Sequence, residues 1–276
     1  MKILKMMMCA ALATMVAASC TPKKEAPKVL VLYYSQTSNT KTVAQEIATR
    51  LNADIEEIVP VVAYDGEFEA TIQRCMKERE EGIKPEVKPL ASDLAKYDVI
   101  FIGYPVWFGT FAPPVGAFLD KTDLSGKKIV PFCTFGSGGL ESSVKELAEK
   151  QPNAEILPGY GVRAARLAAV PKEVDQFLKA GGFIEGEYFK PEEFPEQHPV
   201  SADEAAIFDA AVNGYPMLNA KATTVAMRTI PDGTEYLFTA KDQPREGKPD
   251  MPPPGDLKVY VTVEKGDTPV FTKVVR

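Results

Sequence analysis

With 276 residues, 45% of them hydrophobic and 25% charged, the chain carries ample material for a core, which excludes a disordered or fibrous protein and favours two domains of unequal size. A net charge of −6 leaves no basic footprint for nucleic acid. The single histidine, His198, excludes a His-clustered metal centre and an HExxH helix, so any catalysis must lean on a cofactor or on carboxylates.

Residues 1–19 read as a signal peptide. Lys2 and Lys5 precede an apolar run over 6–18 that is too short to span a bilayer permanently, and Ala17-Ala18-Ser19 stands directly before Cys20. This ending resembles a bacterial lipobox, which implies cleavage before Cys20, acylation of its sulfur, and an exported protein anchored to a membrane and facing the periplasm. A cleaved signal with a chance cysteine is the plainer alternative. Residues 20–27 then form a solvated, lipid-anchored tether rich in Lys and Pro. Loss of 1–19 removes two lysines and moves the net charge to −8. Cys133, in an apolar run, reads as a small buried hydrophobe, and Cys75 follows a polar helical stretch; no disulfide between them is expected.

Residues 28–183 alternate strands and helices. Continuous apolar runs at 29–34, 99–104 and 129–135, with weaker ones at 55–59 and 156–162, predict strands covered on both faces. Helical spacing recurs in Val43, Ile47 and Leu51, in Val115, Phe118 and Leu119 after Pro113-Pro114, in Val144 and Leu147, and in Val174, Phe177 and Leu178 after Pro171. Five strands joined by helices predict a doubly wound parallel α/β sheet, in which ligands sit at the carboxyl ends of the strands where the order reverses.

The strand ends carry the candidate site. After the first strand, Ser35-Gln36-Thr37-Ser38-Asn39-Thr40 packs hydroxyls and amides at a helix N-terminus, where unpaired N–H groups and the helix dipole favour an anion. Neither GxxxxGK[ST] nor GxGxxG is present, so this is a phosphate cradle of another kind; simple helix capping is the bland alternative. Pro105-Val106-Trp107-Phe108-Gly109, with Tyr104 before it, reads as an aromatic loop after the third strand, suited to a flat ring unless Trp107 plugs the core. Gly136-Ser137-Gly138-Gly139 after the fourth offers N–H donors and close backbone approach. No catalytic side chain and no metal ligand is assigned.

Other candidates carry less. Ser142-Ser143-Val144-Lys145 matches SxxK but lacks the companion motifs and reads as a helix start. Glu78, Glu80 and Glu81 read as an exposed helix face, and His198 as a solvated residue of a proline- and acid-rich linker over 184–200. Residues 201–276 predict a smaller α+β unit: a capping box at Ser201-Ala202-Asp203-Glu204, one helix, and four antiparallel strands near 222–230, 234–241, 257–263 and 270–275, with Pro252-Pro253-Pro254 in a loop. Its order resembles a cystatin-type fold. The family's Gln-x-Val-x-Gly hairpin is replaced by Thr229-Ile230-Pro231-Asp232-Gly233, so a docking or dimerisation role, with a homodimer among the options, is preferred to protease inhibition.

The motifs Tyr34-Ser35-Gln36-Thr37-Ser38-Asn39-Thr40 and Gly103-Tyr104-Pro105-Val106-Trp107 make 28–183 resemble the flavodoxin family, with Ser38 departing from the glycine often found there. The resemblance implies FMN, its phosphate held by Ser35, Thr37, Asn39 and Thr40 and its ring between the 105–109 and 136–139 loops, with a peptide near Gly109 meeting N5. It implies electron transfer, either as a carrier for a redox partner protein or as a reductase using NAD(P)H to reduce a flavin, a quinone or another small acceptor. The alternative is a lipid-anchored interaction module that keeps the scaffold without the flavin.

Overall fold

The structure, a computed structural model, describes residues 27–64, 66–215, 218–243 and 255–275. The signal peptide, Cys20, the tether as far as residue 26 and the Pro252-Pro253-Pro254 loop lie outside them. In chain order the first part contains β1 (Val29–Tyr33), α1 (Asn39–Leu51), β2 (Asp54–Glu57), α2 (Phe68–Glu80), β3 (Val99–Trp107), β4 (Thr110–Phe111), α3 (Pro113–Lys121), β5 (Lys128–Phe135), α4 (Leu140–Lys150), β6 (Glu155–Ile156), β7 (Tyr160–Arg163) and α5 (Val170–Ala180).

The main sheet runs β2-β1-β3-β5-β6, with β7 also parallel to β5. Strands β6 and β7 therefore share the fifth strand position. The continuous strand expected over 156–162 is broken around Gly159, which lies tightly against the Pro131 carbonyl. Because side chains alternate along a strand, the sheet divides its residues between two cores. Leu30, Leu32, Ile100, Ile102 and Ile129 pack with Val115, Phe118 and Leu119 of α3 and Leu147 of α4. Val31, Phe101, Val130 and Phe132 pack with Val43 and Ile47 of α1 and Val174 and Leu178 of α5. Each such side chain contributes about 1.5–3 kcal/mol by leaving water, and both faces are needed because a parallel sheet has no wet side.

The second part contains β8 (His198–Pro199), α6 (Ala202–Val212), β9 (Ala220–Ile230), β10 (Gly233–Asp242), β11 (Leu257–Glu264) and β12 (Val270–Val275), in sheet order β12-β11-β10-β9-β8. Helix α6 opens with the predicted capping box: Ser201 and Glu204 satisfy each other's backbone N–H groups. Phe208 of α6 packs on Phe238, Val259 and Phe271. The sheet has five strands rather than four, because two residues of the expected linker pair with β9. His198 is accordingly half-exposed but held, its Nε2 2.9 Å from Glu204 Oε1. Glu80 and Glu81 are exposed as expected, whereas Glu78 is buried because Tyr64 and Arg74 both bond its carboxylate.

Candidate functional site

A cavity of about 800 Å³ opens at the carboxyl ends of β1, β3 and β5, beside the β1–β3 pair where the strand order reverses. The three loops singled out from sequence converge on it; of their candidate residues only Ser38 does not line it. Its volume falls within the range of ordinary small-molecule sites, about 300–1,000 Å³.

Ser38 instead shapes the first loop. It is the residue before α1, at φ 63°, and its side chain makes no cap. The hydroxyls around it divide into two roles. Ser35 Oγ accepts from the Lys41 N–H at 3.2 Å, and Thr40, buried, lies with its Oγ1 2.8 Å from Thr134 Oγ1, tying the loop to the end of β5. Thr37 is exposed at the loop tip and Asn39 half-buried, both on the cavity. The loop thus presents hydroxyl, amide and leading helix N–H groups together, a donor set matched to an anion.

The aromatic segment is not a loop but the continuation of β3 into a hairpin. Val106 pairs with Phe111 and Trp107 with Thr110, and the two turn residues Phe108 and Gly109 have φ of 52° and 83°. Positive φ at both central positions is what a two-residue hairpin of matching twist requires. Trp107 is half-buried on the cavity wall and meets Tyr34 and Tyr64 edge-on at 5.9 and 5.5 Å between ring centroids. Tyr104 is not part of this platform. It is fully buried, with its hydroxyl 3.0 Å from Ser143 Oγ, because strand alternation places it on the face of Ile100 and Ile102.

The titratable groups behind this wall are held away from neutrality. Burial, reinforced by the bond to Glu78, pushes the Tyr64 hydroxyl far above its ordinary range. Burial also raises Tyr34, and it pushes the Cys75 thiol up to about 11. Cys75 lines the cavity but, like Cys133, is buried and free. None of these groups is poised to exchange protons near neutral pH, so the wall orients and encloses more than it reacts.

The glycine loop lines the cavity and also receives the second unit. The Val274 N–H of β12 donates to the Ser137 carbonyl at 2.7 Å, and a Cβ on Gly138 would stand 2.1 Å from the Val274 carbonyl oxygen. Gly138 therefore admits the last strand of the second sheet. Arg163 fixes the same junction: its Nε donates to the Gly136 carbonyl at 2.7 Å and its Nη1 to the Phe271 carbonyl at 2.8 Å. Lys273 pairs with Glu141 at 2.8 Å. Tyr215, Val274 and Val275 consequently line the cavity beside the first part's loops.

The flavodoxin family model matches residues 28–173, just over half of the chain. The chain belongs to the flavodoxin family. Among solved structures, a candidate flavoprotein from Bacteroides eggerthii is 25% identical, with a TM-score of 0.50 over 56% of this chain and 98% of its own. One from Bacteroides uniformis is 26% identical, with a TM-score of 0.48 over 55% of this chain and 99% of its own. A flavoprotein in complex with FMN from Lactobacillus acidophilus is 26% identical, with a TM-score of 0.45 over 53% and 98%. The family match ends at residue 173 and leaves the second sheet outside its span.

Sequence reasoning missed part of the lining. Phe68, Ile72 and Cys75 face the cavity from α2, and their spacing of four and three residues is a helical face that could have been read. Tyr215, Val274 and Val275 arrive from a separate unit and carry no local signal. Among the described residues there is no cluster of three or more potential metal ligands and no helix long and apolar enough to cross a membrane.

Proposed function

We propose that this flavodoxin-family protein binds FMN in the cavity and works in electron transfer as an exported lipoprotein. The observation that carries the reading is the convergence, in one cavity, of the hydroxyl-rich start of α1 with the indole-bearing hairpin. Family membership of 28–173 supports a flavin as the ligand.

The donor set fits such a group. Thr37, Asn39 and the first N–H groups of α1 would hold a phosphate monoester, with Ser35 and Thr40 fixing the loop's shape through Lys41 and Thr134. Trp107 would cover a ring face, its own orientation set by Tyr34 and Tyr64. Gly109, at the hairpin tip, has open space where a side chain would be, so its peptide is accessible from the cavity. When bound, FMN supplies one- or two-electron chemistry; the protein supplies position, exclusion of water and an acidic field that disfavours added negative charge.

The electron donor in this reading is NAD(P)H or a redox partner protein, and the acceptor a small molecule or second protein. Acylation at Cys20 would hold the protein at a membrane on the periplasmic side. The test begins with protein lacking 1–19: it should purify yellow or take up FMN with quenching of flavin fluorescence, and Trp107→Ala with Thr37→Ala should weaken that uptake. A colourless protein indifferent to FMN refutes the proposal. Anaerobic addition of NADH or NADPH then separates reductase from carrier by whether the flavin bleaches, and palmitate labelling lost in Cys20→Ala tests the anchor.

A further inference from the structure

We infer that the second sheet is part of the cofactor site: Tyr215 and the end of β12 form part of the cavity wall together with the Trp107 hairpin, so that FMN binding and docking of the C-terminal unit are coupled. This rests on the FMN reading above.

Three independent contacts bring the unit there. The notch at Gly138 receives the Val274 carbonyl, the Val274 N–H bonds Ser137, and Arg163 joins the Gly136 and Phe271 carbonyls. The Arg163 guanidinium also lies over Phe271 at 4.2 Å and Tyr215 at 5.0 Å, while Tyr215 and Phe271 pack against each other at 5.4 Å. Arg163 is thus a positioning residue. It holds the tyrosine against the glycine loop, where the Tyr215 hydroxyl comes within 3.3 Å of the place a Gly136 Cβ would occupy. Lys273 and Glu141 close the outer edge of the same junction.

Without the second unit the Ser137 carbonyl and the Gly138 notch would be open on this side. Here the loop carbonyls at Gly136 and Ser137 are taken by Arg163 and β12, and the cavity is bounded by side chains of both units. The approach left uncovered is that of α2 and the hairpin tip, where Phe68 and Phe108 are 79% and 50% exposed. By linkage, a ligand that touches both units must tighten their docking by the same factor as docking tightens its binding.

The experiment uses the chain from residue 20, with FMN affinity read by fluorescence quenching and docking by glutamyl-endopeptidase cleavage after exposed Glu193. Tyr215→Ala should weaken FMN about tenfold and change the bound flavin's visible band, while Tyr215→Phe should keep both as in the parent. Arg163→Ala and Gly138→Val, which release β12 without removing a cavity aromatic, should weaken FMN comparably and speed cleavage, and FMN should slow cleavage of the parent. Should Tyr215→Ala fail to fold, these two variants decide. Unchanged FMN affinity in all three overturns the inference and leaves the proposed function standing. A parent that itself ignores FMN overturns both, and is recognised because the failure precedes any substitution.

Discussion

Thr40 and Thr134 share a hydrogen bond 2.8 Å long inside the protein, 94 residues apart in sequence, and it joins the start of α1 to the end of β5. Both side chains are buried, so removing one hydroxyl leaves the other without its partner. An orphaned buried hydroxyl costs about 1–3 kcal/mol, while removing both together is nearly neutral. Thr134→Val should therefore destabilise by that amount and Thr40→Val/Thr134→Val by clearly less than the sum of the singles. A urea double-mutant cycle checks this; strict additivity would mean the pair is not coupled.

Thr37 separates binding from stability. It is exposed and on the cavity, so Thr37→Ala should move the melting temperature little, within the about 0.5 kcal/mol typical of surface changes. Loss of one hydrogen bond to a charged phosphate, about 1.5–3 kcal/mol, should weaken FMN by roughly ten- to a hundredfold. Titration of FMN and of riboflavin side by side provides the check: the substitution should matter for the first and hardly for the second.

Phe108 occupies a left-handed backbone conformation that an Asn would adopt at lower cost. Relief of about 1–2 kcal/mol exceeds the loss of the exposed Arg79 contact over its ring, about 0.5–1 kcal/mol. Phe108→Asn should thus gain up to about 1 kcal/mol and raise the melting temperature by a few degrees. Calorimetry that shows a loss instead would mean the half-exposed ring contributes more to the hairpin than its backbone costs.

Acid should loosen the junction between the two units. Burial works to raise the Glu141 carboxyl, but its bond and charge interaction with Lys273, together with a backbone hydrogen bond, hold it below the ordinary range. A carboxylate with a lowered folded value gives stability that is complete above the unfolded pKa of about 4.3 and drains away as pH falls through the folded value. Urea midpoints between pH 6 and pH 3 should consequently fall less steeply in Glu141→Gln than in the parent. Identical slopes would remove this pair from the account.

The main sheet was readable because two-sided burial writes itself into continuous apolar runs: Leu30 and Leu32 face one core and Val31 the other with no polar residue between. The same alternation, counted from Ile100 and Ile102, places Tyr104 in the core, and the aromatic loop expectation overlooked it. The hairpin itself had no signature, since its turn holds Phe108 where such turns usually show Asn or Asp. Strand β8 is two residues long, too short for any periodicity to register. The role of Gly138 depends on Val274, 136 positions later, and a contact of that kind has no trace in the local sequence.

The two thiols among the described residues have a bearing on manufacture of the protein. Cys75 and Cys133 are buried on different elements, and burial raises both above the usual thiol range, so few of them ionise at neutral pH. Air, glutathione and the oxidising machinery outside the cytoplasm all act through the ionised sulfur. Once folded, this part of the molecule should tolerate either side of a redox boundary alike, and reductant in a purification buffer should make no difference to its shape.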